Sequence, residues 1–135
     1  MHVSAKLITA LPVVMVAAWM ATRREGPWTL PRLFGLALIL AGLELLTVAR
    51  IQFERQFARR PGLVTQGIYS RVRHPLYLFS FIAFVGLFLY LDKPWGILGL
   101  LPIQLIQSYR ARREEQELEN VYGDQYRCYR QQTWF

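Results

Sequence analysis

Two short polar runs carry the side chains that could do chemistry: Arg73-His74-Pro75-Leu76-Tyr77, and Arg110 with Glu114-Glu115. Arg110 and Glu114 are four apart, so on a helix they share a face, as do Glu114 and Leu118, while Glu115 points about 100° away. A positioned carboxylate can serve as a general base, and a guanidinium can orient an ionised carboxylate through paired hydrogen bonds. As intrahelical ion pairs alone such contacts contribute about 0.2–0.5 kcal/mol, and Arg preceding Glu is the less favourable order against the helix dipole. Pro75 suits the first turn of a helix, which leaves His74 at its N-terminus, where unpaired N–H groups attract anions. A lone histidine there is by itself an ordinary capping or interfacial group.

The elements that must position these residues are apolar. Of 135 residues 53% are hydrophobic and 19% charged, and sixteen Lys and Arg against nine Asp and Glu give a net charge of +7. Soluble domains average about 45–50% apolar and about 25% charged residues, so the chain is shifted toward lipid while remaining basic. This excludes a disordered chain and a collagen-like fibre. Cys128 is the single cysteine, which excludes a disulfide scaffold and multi-cysteine zinc sites, and no metal site is expected.

Four apolar stretches, at about residues 6–22, 31–49, 75–91 and 94–109, approach the length of about 20 residues that spans a bilayer. No A-x-A cleavage pattern follows the first, so it reads as a membrane helix. Asp92, Lys93 and Pro94 alone separate the last two, predicting an antiparallel helical hairpin. Glu44, inside the second stretch, is expected to face the bundle or stay protonated. Twelve basic residues fall on one side of such a four-span chain and four on the other, which places both termini, the connector 50–74 and the tail 110–135 in the cytoplasm. The expectation is an all-α integral membrane helical bundle: one domain over 1–135, about four transmembrane helices and a C-terminal cytoplasmic amphipathic helix. Its basic charge is assigned to topology and anionic membrane lipids, with no nucleic-acid partner. Within the connector, Arg59-Arg60-Pro61-Gly62 predicts a helix stop, residues 63–65 an extended piece and Gly67 a turn; in the tail, residues 110–121 favour a helix ended by Gly123.

From Leu63 to Tyr129 the chain resembles the isoprenylcysteine carboxyl methyltransferase and phospholipid methyltransferase group of integral membrane enzymes. Leu63-Val64-Thr65-Gln66-Gly67-Ile68-Tyr69 and Arg73-His74-Pro75-Leu76-Tyr77 are similar to its LVTxGxY and RHPxY signatures. Arg110 with Glu114-Glu115 and Leu118, then Tyr122-Gly123, Tyr126 and Tyr129, are similar to its RxxxEExxL and FGxxYxxY pattern. Phe79 departs from the glycine often found two positions after the RHPxY tyrosine, here Tyr77.

The resemblance implies S-adenosylmethionine as cofactor, held without a Rossmann fold, and the chain indeed contains no G-x-G. It further implies that Leu63, Val64 and Tyr69 line the cofactor pocket and that His74, Pro75, Leu76 and Tyr77 close it. Arg110 and Glu114 would face a lipophilic or lipidated methyl acceptor, and Glu115 would fix the tail helix or the cofactor's amino group. A prenylcysteine-like carboxylate would need Arg110 to orient it, whereas an amino headgroup would need Glu114 as base. An NADPH-dependent membrane lipid or sterol reductase of related architecture and a non-enzymatic membrane adaptor are the competing readings. The methyltransferase reading requires His74 and Glu114 to border one cavity.

Overall fold

The computed structural model describes residues 26–134; the expected first span, 6–22, lies outside them. Every described element is helical. Helix α1, Leu30–Arg59, starts with Pro31 in its first turn and ends at Arg60 and Pro61. Its 30 residues measure about 45 Å at 1.5 Å each, more than the roughly 30 Å of a hydrocarbon core. It is the one described helix long and apolar enough to cross a membrane. The connector was expected to begin at residue 50, but α1 continues to Arg59. Loss of hydropathy marks where lipid ends, not where a helix ends. Residues 50–59 are mostly good helix formers, Arg50 pairs with Glu54 at 3.3 Å, and no proline intervenes before Pro61. Glu44 is exposed on α1 among the described residues.

After the connector, a 3-10 turn at Gly67–Ser70 leads into α2, Pro75–Tyr90, an apolar helix of 16 residues. α2 packs chiefly on α1. The two run antiparallel, since Gly35 meets Gly86 and Gly42 meets Ala83 and the carbonyl of Phe79. A Cβ on Gly35 would stand 2.6 Å from the Gly86 carbonyl oxygen, so the backbones approach closer than any side chain permits. At the closed end Arg32 pairs with Asp92 at 2.6 Å. Ala49, Val64, Tyr69 and Phe79 form the buried core at the other end, which accounts for a large side chain at position 79.

The expected fourth span, 94–109, is not a separate helix. Pro94–Gly99 forms a 3-10 turn in which Gly96 lies against the Phe88 ring. Helix α3 then runs unbroken from Leu100 to Tyr122, because the Arg and Glu residues that follow Tyr109 propagate a helix rather than end it. α3 returns antiparallel to α2, with Gly96 against Phe88 at one end and Glu114 against Tyr77 at the other, as in the expected hairpin, although α2 packs far more extensively on α1. Gly123, at φ +51°, turns the chain into α4, Asp124–Gln132. Tyr126 and Tyr129, three apart, are the buried side of α4, and Arg127 and Arg130 are its exposed side.

Candidate functional site

All four helices and the connector converge on a cavity of about 360 Å³ at the end of α1 that carries Arg50 and Arg55. Phe53 of α1, Leu63 and Val64 of the connector and Tyr69 of the 3-10 turn form one side. Arg73, His74, Pro75, Leu76 and Tyr77 enter from the start of α2, Glu114 and Leu118 from α3, and Tyr126 and Tyr129 from α4. The walls are mainly aliphatic and aromatic with a few polar groups between them, the usual make-up of a small-molecule site.

The polar groups are interlocked. Glu115, 16% exposed, accepts a hydrogen bond from Arg73 Nε at 2.9 Å and lies 3.2 Å from His74 Nε2. Partly buried charges need such pairing, because an unpaired one keeps its desolvation cost. The other face of the His74 ring is 3.8 Å from Glu114, Nδ1 to Oε2, and the Tyr77 hydroxyl donates to Glu114 Oε1 at 2.7 Å. His74 is the N-cap residue of α2, yet its side chain caps no backbone amide; it is turned toward the two glutamates.

Arg73 also ties down the far wall. Its Nη1 donates to the carbonyls of Arg130 at 3.2 Å and Thr133 at 3.1 Å and to Thr133 Oγ1 at 3.0 Å. The Thr133 hydroxyl in turn donates to the Tyr129 carbonyl at 3.1 Å, and the Trp134 N–H donates to the Arg71 carbonyl at 3.2 Å. The Tyr129 hydroxyl donates to the Tyr69 carbonyl at 2.6 Å, so α4 is fastened to the 3-10 turn across the cavity.

Of four buried side-chain atoms without a partner among the described residues, two border the cavity, the others being Thr29 Oγ1 and Gln104 Oε1. The hydroxyls of Tyr69 and Tyr126 have no hydrogen-bond partner, although Tyr126 is only 1% exposed. Burial pushes the Tyr69 hydroxyl up to about 12 and, aided by Tyr126, the Tyr129 hydroxyl to about 12. Tyr126 is raised by burial first and by the Glu115 charge second. All three are therefore neutral at physiological pH, with two hydroxyls free to bond a ligand.

Of the residues singled out from the sequence, Leu63, Val64, Tyr69, His74, Pro75, Leu76, Tyr77 and Glu114 all border this cavity. Glu115 stands behind His74 and Arg73 and does not line it. Arg110 is exposed and outside the lining, one helical turn before Glu114 and near enough for its charge to act on the Tyr77 hydroxyl. Phe53, Arg73, Leu118, Tyr126 and Tyr129 had no role assigned from sequence. All but Phe53 stood in the recognised motifs, and that was the available signal. Phe53 became visible only once α1 was seen to continue past residue 49.

Comparison with known proteins covers this same region. The profile of the family described as phospholipid methyltransferase matches residues 30–125. The cobalt-zinc-cadmium resistance protein CzcN of Cupriavidus metallidurans is 37% identical over 68 residues, covering 49% of this chain and 31% of that protein's length. No solved structure matches the chain. The family match takes in α1, the connector, α2 and all of α3, hence every cavity residue except Tyr126 and Tyr129. The chain belongs to the phospholipid methyltransferase family, integral membrane enzymes that take a methyl group from S-adenosylmethionine.

Proposed function

We propose that this chain binds S-adenosylmethionine in the cavity between the connector and α4, and transfers its methyl group to a lipophilic acceptor that enters from the bilayer at the cytoplasmic face. The observation that carries this reading is the pair of buried, unpartnered tyrosine hydroxyls in a cavity also bordered by His74, Tyr77 and Glu114. Orphaned buried polar groups are rare in folded proteins and mark places where a ligand completes the hydrogen bonding. The residues suit the cofactor: Leu63, Val64, Pro75 and Leu76 offer apolar faces to a flat ring, and Tyr69 and Tyr126 offer hydroxyls to its polar edge or ribose. Tyr77 offers a ring face to a cation, an interaction of about 0.5–2 kcal/mol.

When bound, the cofactor supplies an electrophilic methyl on a positively charged sulfur. The protein's own task is alignment and exclusion of water, which can account for roughly 7–11 kcal/mol of a barrier. Glu115 holds His74 and Arg73 in place, and Arg73 in turn holds α4 as the wall that shuts out solvent. Arg110 is the first charge on α3 after its apolar half, so an acceptor leaving lipid along α3 meets a guanidinium there. In this reading Arg110 orients a carboxylate acceptor of the isoprenylcysteine type, and Glu114 takes the proton if the acceptor is a phospholipid amine. Arg50, Arg55, Arg59, Arg60 and the basic residues of α3 and α4 gather at the cavity end, with Arg32 and Lys93 at the opposite end, which supports a cytoplasmic site in a multi-pass chain with both termini on that side.

Titration calorimetry on detergent-purified protein tests the cofactor. Heat of binding with S-adenosylhomocysteine is expected; binding of NADPH alone rejects the reading in favour of a reductase, and binding of neither favours an adaptor. Incubating membranes with methyl-labelled S-adenosylmethionine then identifies the acceptor as the labelled lipid or lipidated peptide. Arg110→Ala is expected to abolish transfer while keeping cofactor affinity, and equal loss of both contradicts its assignment to the acceptor.

A further inference from the structure

Helix α1 reaches past its apolar stretch and presents Gln52 and Gln56, one turn apart and both half-buried, to the connector. Their side chains bond main chain only. The Ile68 N–H donates to Gln52 Oε1 at 2.9 Å. The Gln66 N–H donates to Gln56 Oε1 at 3.1 Å, and Gln56 Nε2 donates to the Gln66 carbonyl at 3.0 Å, so one amide group pairs with one residue's backbone as a neighbouring strand would. Between them Gly67 turns at φ +68°, and a Cβ there would collide with the Gln52 side chain. The backbone conformation calls for glycine, and a Cβ there would in addition push the Gln52 amide out of its seat.

We infer that Gln52 and Gln56 are positioning residues for the cofactor site: through the backbone of Gln66 and Ile68 they set the connector at the height on α1 that brings Val64 and Tyr69 to the cavity. Neither glutamine lines the cavity, and both flank Phe53, which does. The segment from Leu63 to Gln66 has no regular secondary structure, so its shape depends on such side-chain contacts. The inference rests on the proposed cofactor reading.

The test uses Gln52→Ala/Gln56→Ala, Gln52→Glu and Gln56→Glu in the full chain in detergent, with S-adenosylhomocysteine as probe and amide hydrogen exchange of residues 64–70 in the ligand-free protein as a second readout. Alanine favours the helix, so global melting should change little. The double variant is expected to lose protection at Gln66 and Ile68 and about tenfold in affinity. Gln52→Glu keeps the acceptor that Ile68 needs and should bind within about twofold of wild type. Gln56→Glu sets an oxygen against the Gln66 carbonyl and should lose nearly as much as the double variant. That asymmetry would not arise from simple packing. Unchanged protection and affinity in the double variant, or equal losses in the two Glu variants, overturns the inference. A wild-type protein that takes up no S-adenosylhomocysteine overturns the cofactor reading, and the positioning claim with it, whereas the exchange data still report whether the amides hold the connector.

Discussion

Between α1 and α2 the chain is held by shape: Gly35 and Gly86 let two backbones touch, and the helices join through apolar contact along most of their length. Around the cavity it is held by donors and acceptors. Arg73, Glu115, His74, Thr133, Tyr129, Gln52 and Gln56 each reach across to another element, and several end on main-chain carbonyls or amides. The first region tolerates no added volume, and its ion pair of Arg32 with Asp92 lies at its end. The second depends on individual hydrogen bonds and leaves two hydroxyls unused. A scaffold of the first kind can keep its form in lipid, while the second kind has hydroxyls left to complete their hydrogen bonding with a ligand.

The largest effect should come from breaking the scaffold. In Gly86→Val the new Cβ would stand 2.6 Å from the Gly35 carbonyl and 2.8 Å from the Ile39 nitrogen. Backbone cannot yield as a side-chain tip can, so a loss of roughly 3 kcal/mol or more is expected, read as a collapse of thermal melting in detergent. Unchanged melting would mean that the helices do not pack through these glycines.

Glu115→Ala should act on the cap instead. It leaves Arg73 and His74 without their carboxylate, at a cost of about 1–3 kcal/mol for a pair that water still partly reaches. S-adenosylhomocysteine affinity should fall about tenfold, because α4 loses the Arg73 part of its fastening and keeps the Tyr129–Tyr69 and Trp134–Arg71 bonds. A variant with lowered melting and intact affinity would show that the cap needs no such latch.

Tyr126→Phe sharpens the contrast by removing a hydroxyl that the folded chain does not use. Melting of the ligand-free protein should hold or rise slightly, while affinity for S-adenosylhomocysteine drops about fivefold. A fall in ligand-free stability would mean that the hydroxyl is not free.

The smallest effect concerns pH. Tyr69 and Tyr129 are raised from 10.0 to about 12, so the folded chain keeps phenolic protons that the unfolded chain has already released. That contribution to stability is complete below about pH 10 and is lost as the pH rises through about 12. Melting should be level from neutral pH to about 10 and decline above it, with a shallower decline in Tyr69→Phe.

What could be read in advance follows the same division. The meeting of the two polar runs was legible, since the short Asp92-Lys93-Pro94 break between the two intervening apolar stretches turns the chain back on itself; His74 does come within 3.8 Å of Glu114. Pro61 and Gly123 were legible as helix ends because their backbone limits are local. The extents of α1 and α3 were not. Both helices cross from apolar to charged sequence without a break, at Arg50 and Arg110, and hydropathy registers the solvent change alone. Gln52, Gln56 and Thr133 were illegible for a different reason: their partners are main-chain atoms, which carry no sequence signal. For Glu115 the 100° between helix neighbours was legible and left two roles open, fixing the tail helix or the cofactor's amino group; its contacts are with Arg73 and His74.

The central claim is that the connector, the start of α2 and the α3–α4 corner enclose one cofactor. Photo-crosslinking with an azido-adenosyl analogue of S-adenosylmethionine, followed by mass spectrometry of the peptides, tests it directly. Label is expected on residues 63–77 and 114–129, suppressed by excess S-adenosylhomocysteine. Label confined to the Arg32–Asp92 end, or label that the competitor does not suppress, would contradict it.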